Sequence, residues 1–137
     1  MEANRRVVLD TDVLVDFLRG KESAIQLVRK LKEERYDIAT TSINIFELSW
    51  GAYKLGKNRA RNVEELTDRL IILNLTAKEA IRAGEEIAYL ESIGLAIDVR
   101  DLLIGVIARE NGYAVITGNI RHFNRIRGLE VLQYKSR

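Results

Sequence analysis

The apolar positions of this chain alternate between two kinds of run. Residues 7–11 (VVLDT), 37–42 (DIATTS), 71–75 (IILNL), 113–119 (YAVITGN) and 129–134 (LEVLQY) are short and rich in apolar or β-branched residues, which predicts five buried strands. The segments between them repeat with helical spacing. Residues 13–19 predict a short helix stopped at Gly20. Ile25, Leu27, Val28 and Leu31 mark a helix over SAIQLVRKLKEE, with Ser23 and Gln26 as its capping box. Ser42 is placed to cap INIFELSWGAYKL, which ends at Gly56, and NRARNVEELTDRL predicts the next helix. Thr76 and Glu79 cap a helix running to Gly94, and DVRDLLIGVIAREN closes at Asn111–Gly112.

Strand and helix therefore alternate, with one helical insert. This order predicts an α/β fold in one domain, 1–137: a central, mostly parallel sheet of four to five strands covered by helices on both faces. In such sheets ligands bind beyond the carboxyl ends of the strands. Asp10, Ser42 and Asn119 each fall just past a strand.

Composition narrows the chemistry. The chain of 137 residues is 47% hydrophobic, enough for one core, and its formal net charge is only +2. It has no cysteine, which excludes disulfides and thiolate chemistry, and one histidine, His122, which excludes a histidine-rich metal site. No window approaches the roughly 18 consecutive apolar residues of a membrane span. The opening MEANRR has no signal-peptide pattern, so a cytoplasmic protein is expected.

Three acids stand out by position. Asp10 ends the first strand, Glu47 lies in the second turn of the helix after the second strand, and Asp101 lies in the first turn of DVRDLLIG. Gathered at one sheet edge, they would repel one another unless a cation intervened. Oxygen ligands without Cys or His suit Mg²⁺ or Mn²⁺. Each acid also has a plainer account. Asp98 and Asp101 are spaced as N-cap and N3, where a carboxylate stabilises a helix by about 0.5–2 kcal/mol. Glu47 fits the surface of an amphipathic helix, and Asp12 and Asp16 fit capping or solvent-facing positions. His122 reads as a structural loop or capping residue rather than a catalytic base.

VVLDTDVLVDFLRG, TTSINIFELSWGAYK and DVRDLLIGVIARENGYAVITGNIRHFNRIRGLEVLQY together resemble, in order and spacing, the PIN-domain ribonucleases of the VapC toxin type. The resemblance covers nearly the whole chain and implies the PIN-like α/β/α fold. It implies Asp10, Glu47 and Asp101 as catalytic, metal-holding carboxylates. Asn119 stands where the family often has a fourth acid, and Asp98 could supply the missing charge. Thr117, Ser42 and Thr11 would line the rim. The implied activity is Mg²⁺- or Mn²⁺-dependent cleavage of single-stranded RNA, by a homodimeric toxin masked by a cognate antitoxin.

Basic residues supply candidate phosphate contacts: Arg121, Arg125 and Arg127 in a tail that also holds Lys135 and Arg137, and Lys54 in a stretch with Lys57, Arg59 and Arg61. Trp50 and Tyr53, three and six residues after Glu47, predict core or dimer packing. Two other readings stay open. VVLDTDVLV also fits a haloacid-dehalogenase-like phosphatase with Asp10 as nucleophile and Asp12 as acid/base. That reading leaves Glu47 idle and lacks a well-placed lysine. Alternatively, Asn119 marks a non-catalytic module that binds nucleic acid or protein.

Overall fold

Side chains on successive strand residues face opposite ways, and this sets the layers. The computed structural model describes residues 4–136, so Arg137 lies outside the described residues. Strands β1 (Arg6–Leu9), β2 (Asp37–Thr41), β3 (Ile71–Leu73), β4 (Ala114–Thr117) and β5 (Val131–Gln133) form one sheet in the order β3-β2-β1-β4-β5. Every pairing is parallel, so the sheet expected to be mostly parallel is wholly so. Helices α1 (Thr11–Leu18) and α2 (Glu22–Glu33) connect β1 to β2, and α3 (Ser42–Leu55) and α4 (Lys57–Thr67) connect β2 to β3. Helices α5 (Ala77–Ser92) and α6 (Val99–Glu110) lead to β4, and the short α7 (Ile120–Phe123) precedes β5. Each of the first three crossovers thus carries two helices, the six that the sequence marks between the first four strands.

Val7, Leu9, Ala114 and Ile116 pack with Val13, Leu14, Leu31 and Leu48 on one face of the sheet. Val8 and Val115 pack with Leu90, Leu102 and Phe123 on the other. Both faces are covered, giving the expected α/β/α sandwich. β1 lies at the centre. The chain leaves it toward β2 on one side and returns as β4 on the other, so a crevice opens where the carboxyl ends of β1 and β4 diverge.

Several helix starts differ from the sequence reading. β1 stops at Leu9 because the Asp10 carboxylate accepts the Thr11 amide (2.8 Å) and turns the chain into α1. Ser42 is not the cap of α3. Thr41 is, in a capping box with Asn44: the Asn44 amide donates to the Thr41 hydroxyl (3.3 Å), and Asn44 Oδ1 accepts the Thr41 amide (3.2 Å). The Ser42 hydroxyl instead accepts the Leu75 amide in the loop after β3 (3.2 Å). The Ser23–Gln26 box does not form either. α2 begins at Glu22, to which Gln26 bonds back, while Ser23 meets the Tyr134 hydroxyl (2.9 Å). A tertiary partner wins over a local cap there. The Thr76–Glu79 box forms as expected.

The far end of the α5–α6 layer is held by a buried charge. Glu86, 2% exposed, accepts from Arg109 Nη1 (2.9 Å), Arg127 Nε (3.2 Å) and the Arg127 amide (3.2 Å). Burial pushes its carboxyl up, but these donors outweigh burial and hold it below its usual value. The Arg127 guanidinium also lies 3.5 Å above the Tyr89 ring. Arg127, expected on RNA phosphates, is therefore spent on a buried carboxylate that needs a counter-charge. Arg125 is likewise engaged, donating to the Ala96 carbonyl. Replacing Glu86 by Ala should destabilise the fold by more than an ordinary surface change, read as a fall in the urea midpoint, because it removes the carboxylate partner of the mostly buried Arg109. A loss within the ~0.5 kcal/mol of ordinary surface changes would show the clamp to be dispensable.

Candidate active site

Asp10 is the N-cap of α1, at the crevice between β1 and β4, and is 7% exposed. Two neutral donors share its carboxylate with the Thr11 amide. Thr117, the last residue of β4, donates its hydroxyl to Oδ2 (2.7 Å). Asn44, in the first turn of α3, donates Nδ2 to Oδ1 (3.1 Å). Among the described residues no lysine or arginine pairs with Asp10. Burial therefore dominates and, with the nearby charges of Asp12 and Asp101, lifts its pKa to about 6 despite the hydrogen bonds from Thr117 and Thr11.

From Asp10 the contacts run in two directions. Asn44 Nδ2 also donates to the Thr11 hydroxyl (2.9 Å), which donates in turn to Glu47 Oε1 (2.7 Å). The other Glu47 oxygen lies 3.4 Å from the Arg100 guanidinium, which also reaches Asp98 (3.6 Å). On the other side the Thr117 hydroxyl accepts the Asn119 amide (2.9 Å), and the Asn119 side chain donates to Asp101 Oδ2 (3.3 Å). His122 Nδ1 stands 3.1 Å from the same Asp101 oxygen and 3.2 Å from Asn119 Nδ2. A proton on Nδ1 serves Asp101 and a lone pair serves Asn119, so only one of these bonds exists at a time.

The structure thus links Asp10, Glu47 and Asp101, but through Thr11, Asn44, Thr117 and Asn119 rather than side by side. Among the described residues no three carboxylate or imidazole groups stand close enough to form a closed metal cage. Like charges keep their distance where no cation joins them. The donor set still fits a hard divalent ion: the acids offer oxygen only, and the central one is buried and, among the described residues, without a cationic partner.

Asp98 caps α6, accepting the Arg100 amide (2.8 Å), so its plainer reading accounts for that oxygen. Asn44 and Arg100 were missed in the sequence. The first is signalled by Thr-x-x-Asn at the start of α3, and the second by an arginine set between two acids. His122 lies in α7, with its ring against the Asp101 carboxylate. Asp12 is exposed in the first turn of α1, as expected, but its carboxylate also accepts the Gly118 amide (2.8 Å), and desolvation raises its pKa. Arg121 is exposed beside the site with no ion pair among the described residues, and Lys54 lies 4.9 Å from the Trp50 ring. Leu18, Leu48, Ala52, Leu55 and Val63 line a groove between α1, α3 and α4 that opens onto Glu47.

Residues 7–129 match the PIN domain family, and the chain belongs to it. Within that family its similarity is to VapC proteins. It is 32% identical to Ribonuclease VapC2 of Rickettsia felis over 125 residues, covering 89% of this chain and 92% of the relative. It is 30% identical to the tRNA(fMet)-specific endonuclease VapC of Salmonella typhimurium over 128 residues, 92% of this chain and 96% of the relative. The crystal structure of Rickettsia felis VapBC2 bound to a promoter DNA fragment superposes with a TM-score of 0.85 at 28% identity, covering 95% of this chain and 99% of the other. Membership of this family sets aside the phosphatase reading. No helix among the described residues is long and apolar enough to cross a membrane.

Asp10 makes a pH prediction. Its folded pKa, about 6, stands above the ordinary 3.8, so its ionisation opposes folding. That cost is absent below pH 3.8, grows between 3.8 and about 6, and is complete above. With chelator present, Asp10→Asn should be more stable than wild type at pH 7.5, by up to about 3 kcal/mol at ~1.4 kcal/mol per pKa unit, with the gap closing toward pH 4. Denaturant titrations at the two pH values read this directly, and a pH-independent gap would contradict it.

Proposed function

We propose that this chain is a divalent-metal-dependent endoribonuclease acting on single-stranded RNA, and the toxin of a toxin–antitoxin pair. The observation that carries the reading is Asp10: a buried carboxylate with no basic partner among the described residues, linked through Asn44 and Thr11 to Glu47 on one flank and through Thr117 and Asn119 to Asp101 on the other. The names of the Rickettsia and Salmonella relatives, a ribonuclease and a tRNA endonuclease, support it.

In this reading Asp10 and Asp101 hold a Mg²⁺ or Mn²⁺ ion, and Glu47 binds it or orients the attacking water. The ion supplies activation of water and relief of negative charge on the phosphodiester. Thr117 and Asn44 keep the Asp10 carboxylate aimed, since each fixes a different oxygen. Arg100 is released from Glu47 as the acids turn inward, and with Arg121 it contacts the RNA backbone, where positive charge gives affinity without sequence choice.

Two surfaces support the partner expectations. The groove beside Glu47 suits an apolar antitoxin segment, which would cover that acid; the superposed Rickettsia protein was solved as VapBC2. Phe46, Trp50 and Tyr53 are 56%, 51% and 66% exposed along one side of α3, so they are not core, and a second copy of the chain is the occupant we assign to them. Trp50→Glu should then leave a monomer by light scattering, and an unchanged mass would place the dimer contact elsewhere or remove it.

The central test is cleavage of an RNA panel containing single-stranded oligonucleotides and initiator tRNA. Wild type should cut with Mg²⁺ or Mn²⁺ and stop with chelator. Asp10→Asn and Asp101→Asn should each lose at least about 10²-fold in rate, the scale of losing a group that stabilises transition-state charge. Binding of RNA without cleavage under either ion would make the chain a binding module. Undiminished activity in Asp10→Asn would put the chemistry at another site.

A further inference from the structure

Asp12 belongs to no step above, yet beside the Asp10–Thr117 bond it makes a second long-range tie across the crevice. It is the second residue of α1, and its Oδ2 accepts the Gly118 amide at 2.8 Å, 106 positions away in sequence. Oδ1 is held from the other side by the Val13 amide (2.8 Å). Gly118 lies between Thr117, which fixes Asp10, and Asn119, which meets Asp101. The approach is close: a Cβ on residue 118 would stand 2.7 Å from Asp12 Oδ2. A side chain at 118 would therefore displace the Asp12 carboxylate from its place, while the backbone there sets no demand for glycine.

We propose that Asp12 is a positioning residue that latches the 117–119 turn, so that Thr117 and Asn119 face the two acids they serve. The role rests on the nuclease reading. What the latch needs is an acceptor oxygen at that place, not a charge. A neutral amide can supply the oxygen, and a methyl group cannot. The turn can also be pushed off from its own side, because a side chain at 118 collides with an intact Asp12.

Four proteins test this: wild type, Asp12→Asn, Asp12→Ala and Gly118→Ala, with the double variant Asp12→Ala/Gly118→Ala closing a cycle. Amide exchange at residue 118 reads the latch, and kcat, KM and RNA affinity with Mn²⁺ read its consequence. Asp12→Ala and Gly118→Ala should exchange about fivefold faster at 118, the scale of one hydrogen bond. Each should lose on the order of 10²-fold in kcat, as expected for a group displaced by about 1 Å, with RNA affinity unchanged. Asp12→Asn should keep both the protection at 118 and most of kcat. The double variant should be no worse than either single one, since both break the same contact. Unchanged thermal unfolding and unchanged exchange in β1 and β4 confirm that each variant is folded.

If Asp12→Ala cleaves like wild type, the latch has no part in the reaction. If Asp12→Asn is as inactive as Asp12→Ala while amide 118 stays protected, charge and not position is what Asp12 supplies, and the proposal is overturned. If wild type cleaves nothing, the nuclease reading fails and this role goes with it. A protected amide 118 in that case would leave only a fold contact.

Discussion

The structure is organised around one unfavourable fact: the Asp10 carboxylate is held at a sheet edge, out of water, with neutral donors and, among the described residues, no basic side chain to meet it. A structural carboxylate in this protein is treated differently. Glu86 is equally buried, but two arginines surround it, and its proton is lost more easily than usual. The two sites show that the chain can neutralise a buried acid where only stability is at stake. At Asp10 it leaves the charge unmet by any basic side chain among the described residues, an arrangement that serves function rather than stability.

The neighbours of Asp10 follow from that choice. Like acids on both flanks would push each other away, so hydroxyl and amide side chains stand between them and fix each oxygen singly. Arg100 and His122 hold the outer two acids in the meantime. The parallel sheet makes this possible. Its topology brings the end of β1, the start of α3, the start of α6 and the end of β4 to a common edge, and each contributes one or two side chains.

Much of this was legible in the sequence, because position at a strand end or a first helical turn is a local property. The strands, Asp10, Glu47, Asp101 and the approach of Asn119 and Thr117 could all be placed that way. What was not legible depends on partners far along the chain. Nothing near Arg127 tells it apart from Arg121; Glu86, 41 positions upstream, does. Asp12 looked like a cap because its partner, Gly118, shares no pattern with it. The shift of the α3 cap from Ser42 to Thr41 is one residue, within the usual uncertainty of helix ends, but it concealed Asn44, whose amide reaches both Asp10 and Thr11.

The central place of β1 has a consequence for synthesis. Its two neighbours in the sheet are made at very different times: β2 follows within about thirty residues of chain, whereas β4 arrives only at residues 114–117. Until then one edge of β1 has no strand to pair with, and Asp10 has no Thr117. A nascent polypeptide still short of that point, or one released early, therefore cannot assemble the crevice at all. Whatever chemistry the crevice performs begins only once β4 has emerged to complete it.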